Sequence, residues 1–300
     1  MPEQDAIALS GAPVTEESIL RDLRALGVQR GDTLIVHTAM SKLGWVCGRE
    51  PAIVRALLRA VGPFGLLVVP THSGDNSEPS HWQHPPVPEN WFAPVRENMP
   101  AYDRRVTPSR GVGRIPECVR TYPGARRSAH PHVSWAAKGW MAAWVLRGHT
   151  WRKPCFGMAS PLGRFYRRGA KTLLLGVGYD NCTSLHLAEA LCPATARKTS
   201  GAAVREHGVR RWVSWEDIGF DSDRFPQIGL AYEQAGGVVT QGRIGHAECK
   251  LVPIRPLVDF GVQWLAEHPA EDAADATAPA ADAAPAQAPA PQPSEALPTA

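Results

Sequence analysis

Apolar residues recur along the 300-residue chain with two periods, and the alternation of these periods sets the first expectations. Ile19, Leu20, Leu23 and Leu26 share one helical face, with Thr15 placed to cap its start and Gly27 to end it. Thr33 to His37 is a short apolar run that reads as a buried strand. Glu50-Pro51 opens a helix carrying Ile53, Val54, Leu57, Leu58 and Val61. Gly65 to Pro70 reads as a second buried strand, Ile115–Arg120 as a helix and Lys171 to Val177 as the strongest strand. Thr183 to Cys192 reads as a helix, and Val204 to Trp215 as a hairpin turning at His207-Gly208. A strand over Cys249–Ile254 and a helix over Leu257–His268 complete the series. The alternation predicts an α/β fold in layers and leaves the strand order open.

The polar stretches divide the chain. Residues 75–110 are Pro-rich and too long for an ordinary connection, which marks a functional loop. Residues 1–12 are expected to be flexible. Residues 269–300, mostly Ala and Pro, are expected to be a disordered tail, leaving 13–268 as the folded domain. Charge follows the same division. The chain carries +3, but residues 271–300 hold five acids and no Lys or Arg, so the remainder stands at +8. A basic body suits anionic partners such as a nucleotide or a phosphorylated cofactor.

Several classes fall away. No run approaches the ~18 apolar residues of a membrane helix, so no membrane partner is expected. Met1 to Pro13 carries acids and no basic n-region, so the expected compartment is the cytoplasm. The six cysteines never form C-x-x-C, which argues against a disulfide scaffold or a zinc ribbon. The histidines lack zinc-protease spacing, and no metal is expected. Ten Trp and many Arg accompany no nucleic-acid motif, so no nucleic-acid partner is expected. Trp82, Trp91, Trp135 and Trp140 read as core or pocket walls.

Three apolar strands end in polar residues: His37-Thr38, Thr71-His72-Ser73-Gly74-Asp75, and Gly176 to Asp180. Open α/β sheets bind ligands beyond the carboxyl ends of their strands, so one shared pocket is expected. His186 and Glu189, three apart on one helix, are neighbours. A histidine with a pKa of about 6.5 can accept a proton at neutral pH, and the acid can orient it or bind a cation. The alternative is a surface pair. Cys182, four residues before His186, allows a Cys–His nucleophile or a small buried residue. Thr107 to Gly113, small and Gly-rich before a helix, suits a phosphate or a plain turn.

With these segments in view, the chain resembles the aminoglycoside 3-N-acetyltransferase family over roughly residues 13–266. The resemblance rests on His37 to Gly48, Val69 to Asp75, Thr107 to Gly113, Arg127 to Pro131, Ser160 to Leu162, Gly176 to Glu189 and Glu216 to Ile218. It implies the layered αβα architecture of that family, distinct from the common small acetyltransferase fold. It also implies transfer of acetyl from acetyl-CoA to the 3-amino group of a 2-deoxystreptamine aminoglycoside, giving antibiotic resistance. The partners are then coenzyme A and the drug, in a monomer or homodimer. The resemblance places the general base at His186 and its carboxylate at Glu216, with Asp217 adjacent. It places coenzyme A contacts at His37, Thr38, Ser41, Ser109, Arg110, Gly111, Val112, Gly113, Ser128 and Ser134, and drug contacts at Asp75, Glu78, Asp103, Asp180 and Glu189.

The chemistry fits those residue types. Glu216 would hold the imidazole tautomer by the logic of a triad. Thr71 or Thr183 is placed to donate to the developing oxyanion, and Arg110 and Arg127 to meet phosphates. Three alternatives stay open: another amine acceptor, a binding protein without turnover, and a covalent route through Cys182.

Overall fold

The computed structural model describes residues 3–83 and 85–269. Among the described residues, nine strands form one seven-stranded sheet and one separate hairpin. The strands are β1 (Thr33–Thr38), β2 (Leu66–Pro70), β3 (Arg126–Arg127), β4 (Trp135–Gly139), β5 (Lys171–Leu175), β6 (Arg197–Glu206), β7 (Val209–Ile218), β8 (Thr240–Ile244) and β9 (Ala247–Pro253). The helices are α1 (Glu3–Leu9), α2 (Glu16–Ala25), α3 (Arg49–Val61), α4 (Phe92–Asn98), α5 (Arg114–Thr121), α6 (Ala142–Leu146), α7 (Pro161–Arg167), α8 (His186–Leu191), α9 (Phe225–Gln234) and α10 (Ile254–Glu267).

The sheet order is β3-β4-β2-β1-β5-β9-β8. The centre, β2-β1-β5, is parallel, and the flanking strands are antiparallel. Central strands buried on both faces read as continuous apolar runs, which is why these three were legible. Their side chains divide between two cores. Ile35, Leu66, Val68 and Leu174 face one core with α7, α8, α9 and α10. Leu34, Val36, Leu67, Val69, Leu173 and Leu175 face the other with α2, α3 and α5. The result is the expected three-layer αβα architecture.

Local chemistry explains several boundaries. Thr15 and Ser18 close a reciprocal capping box on α2. Helix α3 begins two residues earlier than expected, after Gly48 at φ +81°, with Pro51 inside its first turn. The hairpin turns at His207-Gly208 as expected, both at positive φ, but runs the full length from Arg197 to Ile218. The expected helix over 183–192 is a 3-10 turn, Thr183–Leu185, followed by the short α8. The segment expected to be flexible, 1–12, contains α1, and Trp45 donates its backbone N–H to Ser10 Oγ at 3.0 Å. The expected disordered tail, 269–300, lies outside the described residues apart from Pro269. No described helix is long and apolar enough to cross a membrane. Trp135 is wholly buried, edge-on to Phe165, but Trp91 and Trp140 are 54% and 62% exposed and wall no core.

Candidate active site

The three central strands end at one rim, so His37-Thr38, Thr71-His72 and the turn after β5 come together there. Gly176 makes that turn at φ +69°, and a Cβ on it would lie 2.8 Å from Lys42 Cβ. Only glycine suits both the conformation and the approach. The chain then runs through two 3-10 turns into α8, whose first residue is His186.

His186 is 8% exposed and Glu189 4%, so this is no surface pair. Nδ1 of His186 lies 2.6 Å from Glu189 Oε2. The other carboxylate oxygen accepts the Asp221 backbone N–H at 2.7 Å. An ionised carboxylate only accepts, so the ring proton belongs on Nδ1 and the lone pair on Nε2. Phe156 stacks on the ring at 4.6 Å and 11°, while Phe220 and Phe225 meet it edge-on at 5.2 and 4.7 Å. The imidazole is fixed in orientation with one nitrogen left for a substrate.

Two further histidines belong to this rim. Burial pushes His37 and His72 each down to about 3, and the positive charge of a protonated His186 acts in the same direction. Both are neutral at physiological pH. His37 Nε2, Thr38 Oγ1 and His72 Nε2 are buried without a hydrogen bond among the described residues. Each such group costs about 1–3 kcal/mol in the free protein.

The carboxylate partner of His186 differs from the expectation. Glu216 lies on the exposed side of β7 and accepts from Thr199 Oγ1, and Asp217 is buried, accepting from Ile218 N–H at 2.9 Å and Trp215 Nε1 at 3.2 Å. Neither bonds His186. Consecutive strand residues face opposite ways, whereas α8 supplies Glu189 one turn from the histidine. Glu189, expected to meet the drug, is instead the carboxylate that bonds His186.

Thr71 is also corrected. Ser134 Oγ donates to the Thr71 carbonyl at 2.7 Å, so the Thr71 hydroxyl must donate to Ser134 Oγ across 3.1 Å. Its proton is already engaged, and it is no oxyanion donor. Thr183 Oγ1 makes no hydrogen bond to another described residue and keeps that possibility. Burial pushes the Cys182 thiol up to about 12, which removes the thiolate a covalent route needs.

The expected coenzyme contacts split in two. Ser41, in the turn after β1, and Arg110, Gly111, Val112 and Gly113, just before α5, are partly or fully exposed, and a Cβ on Gly113 would touch the Thr38 carbonyl at 3.5 Å. Ser109 donates its hydroxyl to Glu117 Oε2 at 2.7 Å, bracing that loop. Ser128 and Ser134 are instead buried structural groups. Ser128 Oγ accepts Trp135 N–H at 2.9 Å and lies 3.0 Å from His149 Nδ1. Arg127 is buried too, so it meets no phosphate. It donates to Thr71 Oγ1, the Thr71 carbonyl, Ser134 Oγ and the Thr107 carbonyl. Arg127→Ala strands those acceptors and is expected to destabilise the fold by about 3 kcal/mol in denaturant titration. A loss below about 1 kcal/mol would contradict this account of the network.

The expected drug-binding acids differ in availability. Asp75 pairs with Arg110 at 3.1 Å, both exposed. Glu78 is buried and bound by Arg96; burial opposes its charge, but the Arg96 and Ser80 hydrogen bonds outweigh it and hold its pKa down. Asp103 accepts Arg105 N–H at 2.7 Å within a turn, and exposed Asp180 accepts from Asn181. Asp221, which sequence reasoning missed, is an exposed acid tied by its backbone to Glu189. Nothing local signals it, because the end of the hairpin delivers it.

The chain is similar to known proteins over most of its length. The family model described as aminoglycoside 3-N-acetyltransferase matches residues 35–266. A prophage-derived aminoglycoside N(3')-acetyltransferase-like protein, YokD of Bacillus subtilis (strain 168), is 37% identical over 87% of this chain and 95% of its own. Its crystal structure superposes with a TM-score of 0.86 at 36% identity, covering 88% of this chain and 98% of that one. Aminoglycoside N(3)-acetyltransferase IX of Micromonospora chalcea is 35% identical over 88% of this chain and 98% of its own. A structure of AAC-IIIb with CoASH aligns at TM-score 0.76 and 31% identity, covering 87% and 99% of the two chains.

Proposed function

Because the chain belongs to the aminoglycoside 3-N-acetyltransferase family, we propose that it moves the acetyl group of acetyl-CoA onto the 3-amino group of 2-deoxystreptamine aminoglycosides, with His186 as general base. The observation that carries this reading is the buried His186–Glu189 pair with Nε2 left for substrate.

Acetyl-CoA fits the residues present. Its acyl end would meet the unpaired polar atoms of His37, Thr38 and His72. Its phosphates would lie toward Gly111–Gly113, where the backbone opens α5 and the N–H groups of a helix start favour anions. Arg110 stands at the same place.

An alkylammonium is no nucleophile until it loses a proton. Mutual repulsion among a drug's ammonium groups lowers their pKa, so a neutral imidazole can take that proton. His186 Nε2 accepts it, and the charge on the imidazolium is balanced by Glu189. The free amine attacks the thioester carbonyl carbon, and the C–S bond breaks to release CoA. Asp103, Asp180 and Asp221 are the acids that would hold the remaining ammonium groups.

The test is thiol release from acetyl-CoA with a panel of 2-deoxystreptamine drugs. Release that depends on the drug, with a product acetylated at the 3-amino group, is the expected result. Coenzyme A binding without release for any drug would overturn it. One observation favours a second reading, transfer to another amine: Asp75, Glu78 and Glu189, three of the five acids expected to meet a polycation, are already engaged.

A further inference from the structure

The fold leaves buried polar atoms without a protein partner at one place on the rim while closing the network beside them. His37 Nε2, Thr38 Oγ1 and His72 Nε2 lack partners among the described residues. Continuing the parallel register that pairs Ile35 with Val68 brings Thr38 level with Thr71, the residue before His72. Thr71, Ser134 and Arg127 next to them are fully tied to one another. Buried polar atoms are paired in nearly all native proteins, so this grouping calls for a ligand that supplies the partner.

We infer that His72 is a further catalytic residue, donating an N–H hydrogen bond to the thioester carbonyl oxygen as negative charge develops there, with the Thr38 hydroxyl beside it. This rests on the acetyl-transfer reading above and deepens it. The proposed donor and base pack against one ring. The Phe156 ring lies face to face with His186 at 4.6 Å and meets the His72 ring at 6.3 Å and 56°. The edge of His72 also abuts Trp135, which holds it against the end of the sheet. Thr71, one of the two hydroxyls that position in sequence offered, has its proton turned inward, and the next residue carries the unused nitrogen.

The step balances without another reagent. The amine lone pair forms the C–N bond, and the carbonyl π pair moves onto oxygen, where His72 N–H donates to it. Collapse reforms C=O and expels the sulfur with the C–S electron pair; His186 gives the sulfur the proton it took from the ammonium, forming the CoA thiol, and its freed Nε2 then takes the remaining proton from the acylated nitrogen and releases it to solvent. His72 is a neutral donor throughout, because burial keeps its imidazole from protonating. A neutral imidazole in this role does not compete with the base for the proton.

His72→Leu is expected to lower kcat about 10²-fold, the usual consequence of losing one such donor. Coenzyme A itself has no acyl oxygen, so its inhibition constant is expected to stay within about twofold. The leucine variant is expected to melt no lower than wild type, since it removes a buried atom without a partner. His72→Gln keeps an N–H donor and is expected to retain kcat within about tenfold. A leucine variant whose kcat stays within about threefold of wild type would overturn the assignment. So would a loss of coenzyme A affinity or of melting temperature that parallels the loss of kcat, since that marks a packing role. A wild-type protein that releases no thiol with any drug would sink the transfer reading itself, a result distinct from a wild type that turns over and a leucine variant that matches it.

Discussion

His186→Ala is expected to lower kcat for drug acetylation by about 10³-fold or more, while the fold and coenzyme A binding survive. The side chain is buried against three phenylalanines, and among the described residues its one side-chain hydrogen bond is to Glu189. Removing it takes away the acceptor for the ammonium proton and little of the core. Glu189→Gln separates orientation from basicity. The amide preserves shape but loses the charge that balances the imidazolium, and its NH2 can turn toward Nδ1 or the Asp221 N–H. A loss of about 10²–10⁴-fold in kcat with a small change in KM is expected. By contrast, Glu216→Gln, on an exposed strand face, is expected to leave kcat within about twofold. Steady-state kinetics on the three variants decide the matter. Near-normal turnover in His186→Ala excludes general-base transfer by this residue, and a collapse in Glu216→Gln alone would return the orienting role to β7.

A second large effect is loss of stability in mild acid. Burial pushes His37, His72 and His149 down to about 3, His132 to about 4, and His130 well below its ordinary value. In the unfolded chain each takes up a proton near pH ~6.5. Between pH ~6.5 and those lower values the unfolded chain binds more protons than the folded one, so stability falls as the pH falls through this window. Each group can cost up to about 1.4 kcal/mol per pH unit, so five together give several kcal/mol by pH 5. The melting temperature is expected to drop by roughly 10 °C or more between pH 7.5 and pH 5. The depressed carboxylates act lower. Arg120 and Ser109 outweigh burial to hold Glu117 at about 2, so its contribution is lost only as the pH falls below ~4.5. A melting temperature unchanged from pH 7.5 to 5 would show that these histidines are not held neutral.

The legible parts of this protein were those with a local cause. Leu34-Ile35-Val36, Leu67-Val68-Val69 and Leu173-Leu174-Leu175 announce doubly buried strands because both their faces are covered. The Thr15–Ser18 box and the His207-Gly208 turn are set by neighbours in the chain. By contrast, β3 has only two residues and β4 reads Trp-Ala-Ala-Lys-Gly. Neither has a run long enough to stand out; β4 takes its place in the sheet by pairing with β2, and β3 by pairing with β4. The site divides in the same way. His186 and Glu189 were visible as an i, i+3 pair, because one helix turn is enough to join them.

What local pattern could not supply was burial and direction. Whether Glu189 faced solvent or His186 depended on Asp221 arriving from beyond the hairpin to hold its second oxygen. Whether Thr71 or His72 offered a free donor depended on Ser134 and Arg127, which approach from across the sheet. Whether Arg127 could reach a phosphate depended on Tyr102, whose ring covers its guanidinium at 5.2 Å. The layers and the three strand ends were legible in the chain, since each follows from the periodicity or spacing of near neighbours, and the family resemblance pointed to His186 as the proposed base. Which polar atoms find protein partners and which do not was settled by packing, because a hydrogen bond between distant segments exists only once the fold has brought them together.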